Sequence, residues 1–296
     1  GEIWWPALLS VGAAVVVTAI ALRVLDHRDI GAGVLPSRPG PARAGAGLGG
    51  CLGLAWRLQR GSLAGWGVAL LLIGLAYGSI GTDVGDLIGD SPQAAEMFAQ
   101  TGGGLVDSFY STTALMMALI GSGYAVQAAL RLRTEEAAGR VEPILATRVP
   151  RARWVASHLL VALAGSAVVV ALGGLGTGLA YGLTSGDASQ IARLLGASLV
   201  HVPAVWVLVG LTVALVALVP RWASLAWAAL AFCFVMMMFG ALLRLPGWLV
   251  DLSPFTHMPL LPVEDPAAAP LVATAIAAAV LCAIGLGGFA RRDVQT

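Results

Sequence analysis

Lysine is missing from this chain: all seventeen basic residues are arginine. A phosphate-binding loop of the GxxxxGKS/T kind needs its lysine to reach the phosphates, so no such loop is encoded here. Charge of either sign is also scarce. Only 11% of the residues are charged, against roughly 25% in an average soluble domain. Cysteine is limited to Cys51, Cys233 and Cys282, far apart in the sequence. That spacing argues against a disulfide framework or a thiolate metal site and leaves the three as small buried hydrophobes. There is no HExxH, no pair of intramembrane aspartates and no cysteine-histidine cluster, so the sequence lacks the usual signs of a membrane-embedded enzyme.

What fills the chain is apolar. Hydrophobic residues make up 58% and mean hydropathy is +0.86. A helix needs about 20 apolar residues to cross the hydrocarbon core. Seven charge-free stretches reach that length, near 3-22, 61-82, 108-130, 154-186, 194-220, 222-243 and 267-290. They are continuous and show no ten-residue alternation, which predicts an all-α polytopic membrane bundle rather than a barrel. If the first helix runs inward, one side collects Arg23, Arg28, Arg38, Arg43, Arg57, Arg60, Arg131, Arg133, Arg140, Arg148, Arg151, Arg153, Arg221, Arg291 and Arg292. The other side receives Arg193 and Arg244 with Asp83, Asp86, Asp90, Glu96, Asp187, Asp251, Glu264 and Asp265. Positive loops stay cytoplasmic, so the N-terminus of this segment is expected outside and the C-terminus in the cytoplasm.

The first and last helices end alike. Arg28, Asp29 and Ile30 match Arg292, Asp293 and Val294 at a spacing of 264 residues, which holds six spans. The pattern predicts a duplicated six-helix unit: residues 1-25 as the last helix of a preceding unit, 26-60 as a cytoplasmic linker, and 61-296 as the second unit. The Gly/Pro/Ala stretch 31-53 suits a flexible connection. Leu54, Trp56, Leu58, Arg57 and Arg60 suit a short interfacial helix after it. Residue 1 is Gly and falls on the outside, which also points to preceding chain.

Residues 131-154, RLRTEEAAGRVEPILATRVPRARW, concentrate six arginines and three glutamates between two spans. Thr134 can cap a helix there, Glu135 and Glu136 would occupy its first turn, and Glu136 precedes Arg140 by four. Pro143 and Pro150 would break it into short pieces. Val141, Ile144, Leu145 and Val149 would need the underside of the bundle or a partner's groove; a solvated loop touching lipid headgroups is the plainer alternative.

The run EEAAGRVEPILATRVPRARW, with LVDLSPFTHMPLLP at 249-262 and the terminal GFARRD, resembles type 2 ABC exporter permeases of the actinobacterial polyketide-antibiotic and multidrug exporter group. The resemblance covers essentially the whole chain. It implies a permease in the bacterial plasma membrane, moving hydrophobic compounds outward, with a first permease half and two copies of an ABC ATPase subunit as partners. ATP and Mg would be held by that ATPase, and this chain would bind no cofactor. The loop 131-154 becomes the coupling element, with Glu135, Glu136, Gly139, Arg140, Glu142 and Arg148 as ATPase contacts. Lipid and a hydrophobic small molecule are further expected partners; nucleic acid is not.

Inside the spans, Ser108, Ser111, Thr112 and Leu115 follow helical spacing with Met116 beside them, and could line a substrate path. Such hydroxyls also bond their own backbone. Met237, in the run FCFVMMMFG, is a soft side chain of the kind that suits varied greasy ligands or ordinary packing. Gly174, Gly178 and Gly182 recur every four residues and should let two helices approach closely. Asp107, His158 and His201 lie near span ends, where a headgroup could satisfy them. Prolines across 244-266 should break the outer segment into short interfacial pieces. Asp251, Ser253 and His257 are close in sequence, which is not triad geometry. An ion- or proton-driven carrier is the competing reading; such carriers place ionisable groups or broken helices near mid-membrane.

Overall fold

The computed structural model describes residues 5-26, 45, 49-81, 104-240, 242-243 and 245-292. The linker residues 27-44 and 46-48, the acidic stretch from Asp83 to Glu96, Arg244, and the matched residues Arg28, Asp29, Ile30, Asp293 and Val294 lie outside them. No strand occurs among the described residues. The chain divides into two units, Gly1–Ala46 and Gly47–Thr296. The first contributes α1, Trp5–Asp26, an apolar helix with Arg23 in its last turn.

The second unit is a helix bundle: α2 (Cys51–Ser79), α3 (Leu105–Ala137), the short α4 (Glu142–Leu145), α5 (Arg151–Ser185), α6 (Ser189–Leu199), α7 (Val202–Leu218), α8 (Leu225–Phe239), the short α9 (Gly247–Val250) and α10 (Ala268–Arg291). Among the described residues of the whole chain, six helices, α1 included, are long and apolar enough to span a membrane when α6 and α7 are taken together as Ser189–Leu218. The stretch 222-243 forms only the 15-residue α8 behind a 3-10 turn, Pro220–Trp222. At 1.5 Å per residue it covers about 22 Å, short of the hydrocarbon thickness.

Three other sequence expectations are corrected. Residues 54-60 are not a separate interfacial helix, because α2 runs unbroken from Cys51. The helix predicted to start at Thr134 is instead the end of α3. Nothing between Leu130 and Ala137 can stop a helix, and the Thr134 hydroxyl donates back to the Leu130 carbonyl rather than capping. The span 194-220 is broken at Val200 and His201. Pro203 has no N–H and its ring would clash with the carbonyl four residues back, so α7 restarts there.

Packing is close where glycine permits it. A methyl at Gly74 of α2 would overlap the Gly173 carbonyl oxygen of α5, and one at Gly176 would overlap the Leu71 carbonyl oxygen. Helices joined this way gain dispersion contacts between backbones. α3, α5 and α7 supply most of the buried core, including Met117, Tyr124, Trp154, Val170 and Val209.

Candidate functional site

Helix α3 is 33 residues long, about 50 Å, so it overshoots the bilayer and carries its last turns into the arginine-rich end. Gly139, at φ 67°, stops it. Its N–H donates to the Glu136 carbonyl at 3.0 Å and the Arg140 N–H to the Glu135 carbonyl at 3.1 Å, the paired bonds of a Schellman terminus. Where such ends usually place an apolar contact, this one has an ion pair: Arg140 grips Glu135 through Nε at 2.6 Å and Nη2 at 3.1 Å. Arg131 Nε lies 2.7 Å from the same carboxylate.

Glu136 points the other way, into the bundle. It accepts from Arg292 Nη2, at the end of α10, and lies 3.5 Å from Arg133 Nη1. Arg292 also donates to the Val216 carbonyl of α7 at 2.7 Å, and its own carbonyl accepts from Arg151 of α5 at 2.5 Å. Its guanidinium lies over the Phe289 ring at 5.2 Å, and Phe289 packs on Trp154 at 5.5 Å. One clasp thus ties together the ends of α3, α5, α7 and α10. Beneath it His158 Nδ1 is 3.4 Å from Gln59 Nε2 of α2.

Of the six predicted loop residues, Gly139, Arg140, Glu142 and Arg148 are exposed. Glu135 and Glu136 are only 5% and 8% exposed. The expected pairing of Glu136 with Arg140 does not form; each glutamate takes a different pair of arginines. Val141 is fully in the core, and Ile144, Leu145 and Val149 pack against it, so the underside of the bundle holds them. A cleft of about 710 Å³ opens between this loop and the turn at Pro220, bordered by Gly139, Glu142, Arg133 and Arg221. Sequence reasoning missed Arg292 and Arg151 as clasp members. Arg292 counted only as a marker of topology and of the repeat, although two glutamates near the same end needed partners.

The predicted substrate stripe is only partly brought together. Ser111 and Thr112 both donate to the Ser108 carbonyl at 3.0 Å, so their hydroxyls serve their own helix. Ser108 is buried and Met116 half-buried. Leu115 and Met237 meet on the wall of a cavity of about 370 Å³ at the opposite end of the bundle. Gly174, Gly178 and Gly182 face α6: methyls there would press on Ser198 Oγ, Ile191 Cα and the Asp187 carbonyl oxygen at 2.5, 2.8 and 3.2 Å. Asp107 pairs with Arg193 at 2.8 Å. His158 and His201 are 1% and 0% exposed, so headgroups do not satisfy them as expected. His201 Nδ1 lies 3.1 Å from the Ala197 carbonyl. His257 Nε2 lies 2.8 Å from the Asp251 backbone carbonyl, which leaves no triad with Ser253.

Residues 48–290 match the family described as multidrug efflux system permease Rv1217c, C-terminal domain. Along its whole length the chain is 41% identical to the multidrug efflux system permease protein Rv1217c of Mycobacterium tuberculosis (strain ATCC 25618 / H37Rv), and it covers 54% of that protein. The chain therefore spans about half the length of the curated relative it matches.

Proposed function

Because the chain belongs to the family of the Rv1217c multidrug efflux permease C-terminal domain, we propose that it is one transmembrane half of an ATP-driven exporter of hydrophobic compounds. ATP is hydrolysed on a separate ABC subunit, two copies of which serve two permease halves. The observation that carries this reading is the loop after α3. It is short and charged on its outer face, it is anchored to the end of α3 by Arg140 on Glu135, and it joins α3 to α5, two of the four helices whose ends Arg292 and Glu136 clasp. A loop held this way cannot absorb a push by flexing. Motion of a docked ATPase is delivered to α3, α5, α7 and α10 together, and the bundle rocks between inward and outward openings.

The exposed residues Gly139, Arg140, Glu142 and Arg148 meet the ATPase, and Glu135 and Glu136 transmit. The division of labour has a test. In vesicles holding the full permease and its ATPase, Arg140→Glu weakens ATPase docking, whereas Glu136→Arg leaves docking and uncouples hydrolysis from dye export. Unchanged coupling in both variants would overturn the assignment.

The buried imidazoles His158 and His201 favour a second reading, an ion- or proton-driven carrier. Transport that collapses with an ionophore and ignores ATP would establish it.

A further inference from the structure

The cavity at the arginine-poor end is built from three separate parts of the chain. Leu115 of α3 and Met237 of α8 form one wall, the turn Pro254–His257 with Met258 forms another, and Glu264 and Asp265 stand on the rim before α10. Its volume, about 370 Å³, is in the range of small-ligand sites. The floor is apolar and soft: Phe255 and Met258 are buried beside the methionine. Aromatic faces and thioethers of this sort accept a cation or a greasy ring without a fixed shape.

The rim is acidic and held in place. The Leu260 N–H donates to Glu264 Oε2 at 2.9 Å, and the Glu264 N–H returns to the Leu260 carbonyl at 3.0 Å. This closed turn fixes the position of Glu264 in the cavity lining. A neighbouring groove of about 380 Å³ shares His257 and Pro270 with the cavity and has Asp251 in its lining. From 245 to 290 the sequence contains three carboxylates and neither arginine nor lysine.

We propose that this cavity binds lipophilic organic cations, with the aromatic or alkyl body against Phe255, Met237 and Met258 and the positive centre under Glu264 and Asp265. The inference rests on the exporter reading and adds a substrate class to it. Neutral compounds would use the same floor with less affinity, and lipophilic anions would be repelled by the rim.

Two ions of the same shape and opposite charge decide the matter, tetraphenylphosphonium and tetraphenylborate. Ala267 is exposed and lines the cavity, so Ala267→Cys in a Cys51→Ser background is a reporter thiol in the full-length permease in lipid nanodiscs. Tetraphenylphosphonium should slow its alkylation by maleimide, read by peptide mass spectrometry, and tetraphenylborate should not. Glu264→Gln with Asp265→Asn should raise the phosphonium concentration needed for protection about tenfold, since rim carboxylates act through partly screened attraction. Should Ala267→Cys fail to fold, protection of the native Cys233, which also lines the cavity, against a small methanethiosulfonate gives the same reading. Equal protection by both ions, or protection indifferent to the two carboxylates, overturns the proposal. Charge-selective protection without ATP-driven transport keeps the site and sinks the exporter reading; ATP-driven transport without such protection does the reverse.

Discussion

The two ends of the bundle solve the problem of charge near a membrane differently. At the arginine-rich end, two carboxylates are buried and each is shared by two arginines: Glu135 by Arg131 and Arg140, Glu136 by Arg133 and Arg292. At the other end the cross-helix pair Asp107 and Arg193 is about a third exposed, and Asp251, Glu264 and Asp265 sit on loops. Burial makes the first arrangement stiff, because a buried charge that loses its partner has no water to replace it. Exposure leaves the second free to rearrange, since water can take over. Under the exporter reading, the stiff end receives a force and the open end meets cargo.

The largest expected effect of breaking this contrast comes from the clasp. Arg292→Ala would leave Glu136 buried without its principal partner, at a cost of about 3 kcal/mol. Thermal unfolding of the purified protein in detergent measures it. Replacing both members, Glu136→Leu with Arg292→Leu, removes the stranded charge and should recover most of that loss, since apolar pairs often match buried ion pairs in stability. If the clasp transmits force, the double variant will be stable and still poorly coupled. A stable double variant with full ATP-linked transport would show that the clasp only holds the helices together.

The unequal ends were partly legible in the sequence. Charge-free runs of span length announce an all-α membrane bundle, because hydrocarbon leaves the backbone no other partner than itself. Every-fourth glycines announce close packing, and Gly174, Gly178 and Gly182 do face α6. The clasp was hidden, because Arg292 lies 156 positions from Glu136 and no periodicity links them. The length of α3 was misjudged for a local reason: Thr134, Glu135 and Glu136 read as a helix start, and only the glycine three residues beyond them shows that they are an end. The cavity was hidden too. Met237 and Leu115 belong to different helices, and the proline-rich segment that closes over them has no repeating pattern to read.

Two glycines sharpen the comparison further. Gly139 ends α3 at φ 67° and Gly186 ends α5 at φ 72°, one at each end of the bundle. A side chain is strained in this region, so Gly139→Ala and Gly186→Ala should each cost about 1 kcal/mol. Their stabilities should fall together in the same unfolding assay. Only Gly139→Ala should lower the number of molecules exported per ATP, because only that glycine shapes the proposed ATPase contact. A matching loss in Gly186→Ala would assign the effect to general loosening.

A smaller effect is expected at the exposed pair. Asp107→Asn removes one carboxylate from Arg193, yet the two side chains are 31% and 40% exposed, so screening limits the loss to about 0.5 kcal/mol. Raising salt should weaken the wild-type pair and erase the difference. A loss near that of Arg292→Ala would mean that the two ends are not built on different terms.

The smallest effect belongs to Asp187, in the turn between α5 and α6. The Ser189 hydroxyl, the Gln190 amide and the Ser189 backbone N–H donate to its carboxylate, and together they hold its pKa below the usual carboxylate value. A depressed pKa in the folded state means that the ionised form is favoured by folding, so the contribution is complete above the unfolded value, near 4, and fades as pH falls through that value toward the folded one. Asp187→Ala should therefore melt slightly below wild type at neutral pH, and the gap should narrow on acidification rather than widen. A gap that grew as the pH fell would mean that the protonated carboxyl, through hydrogen bonds it donates, is what orders the start of α6.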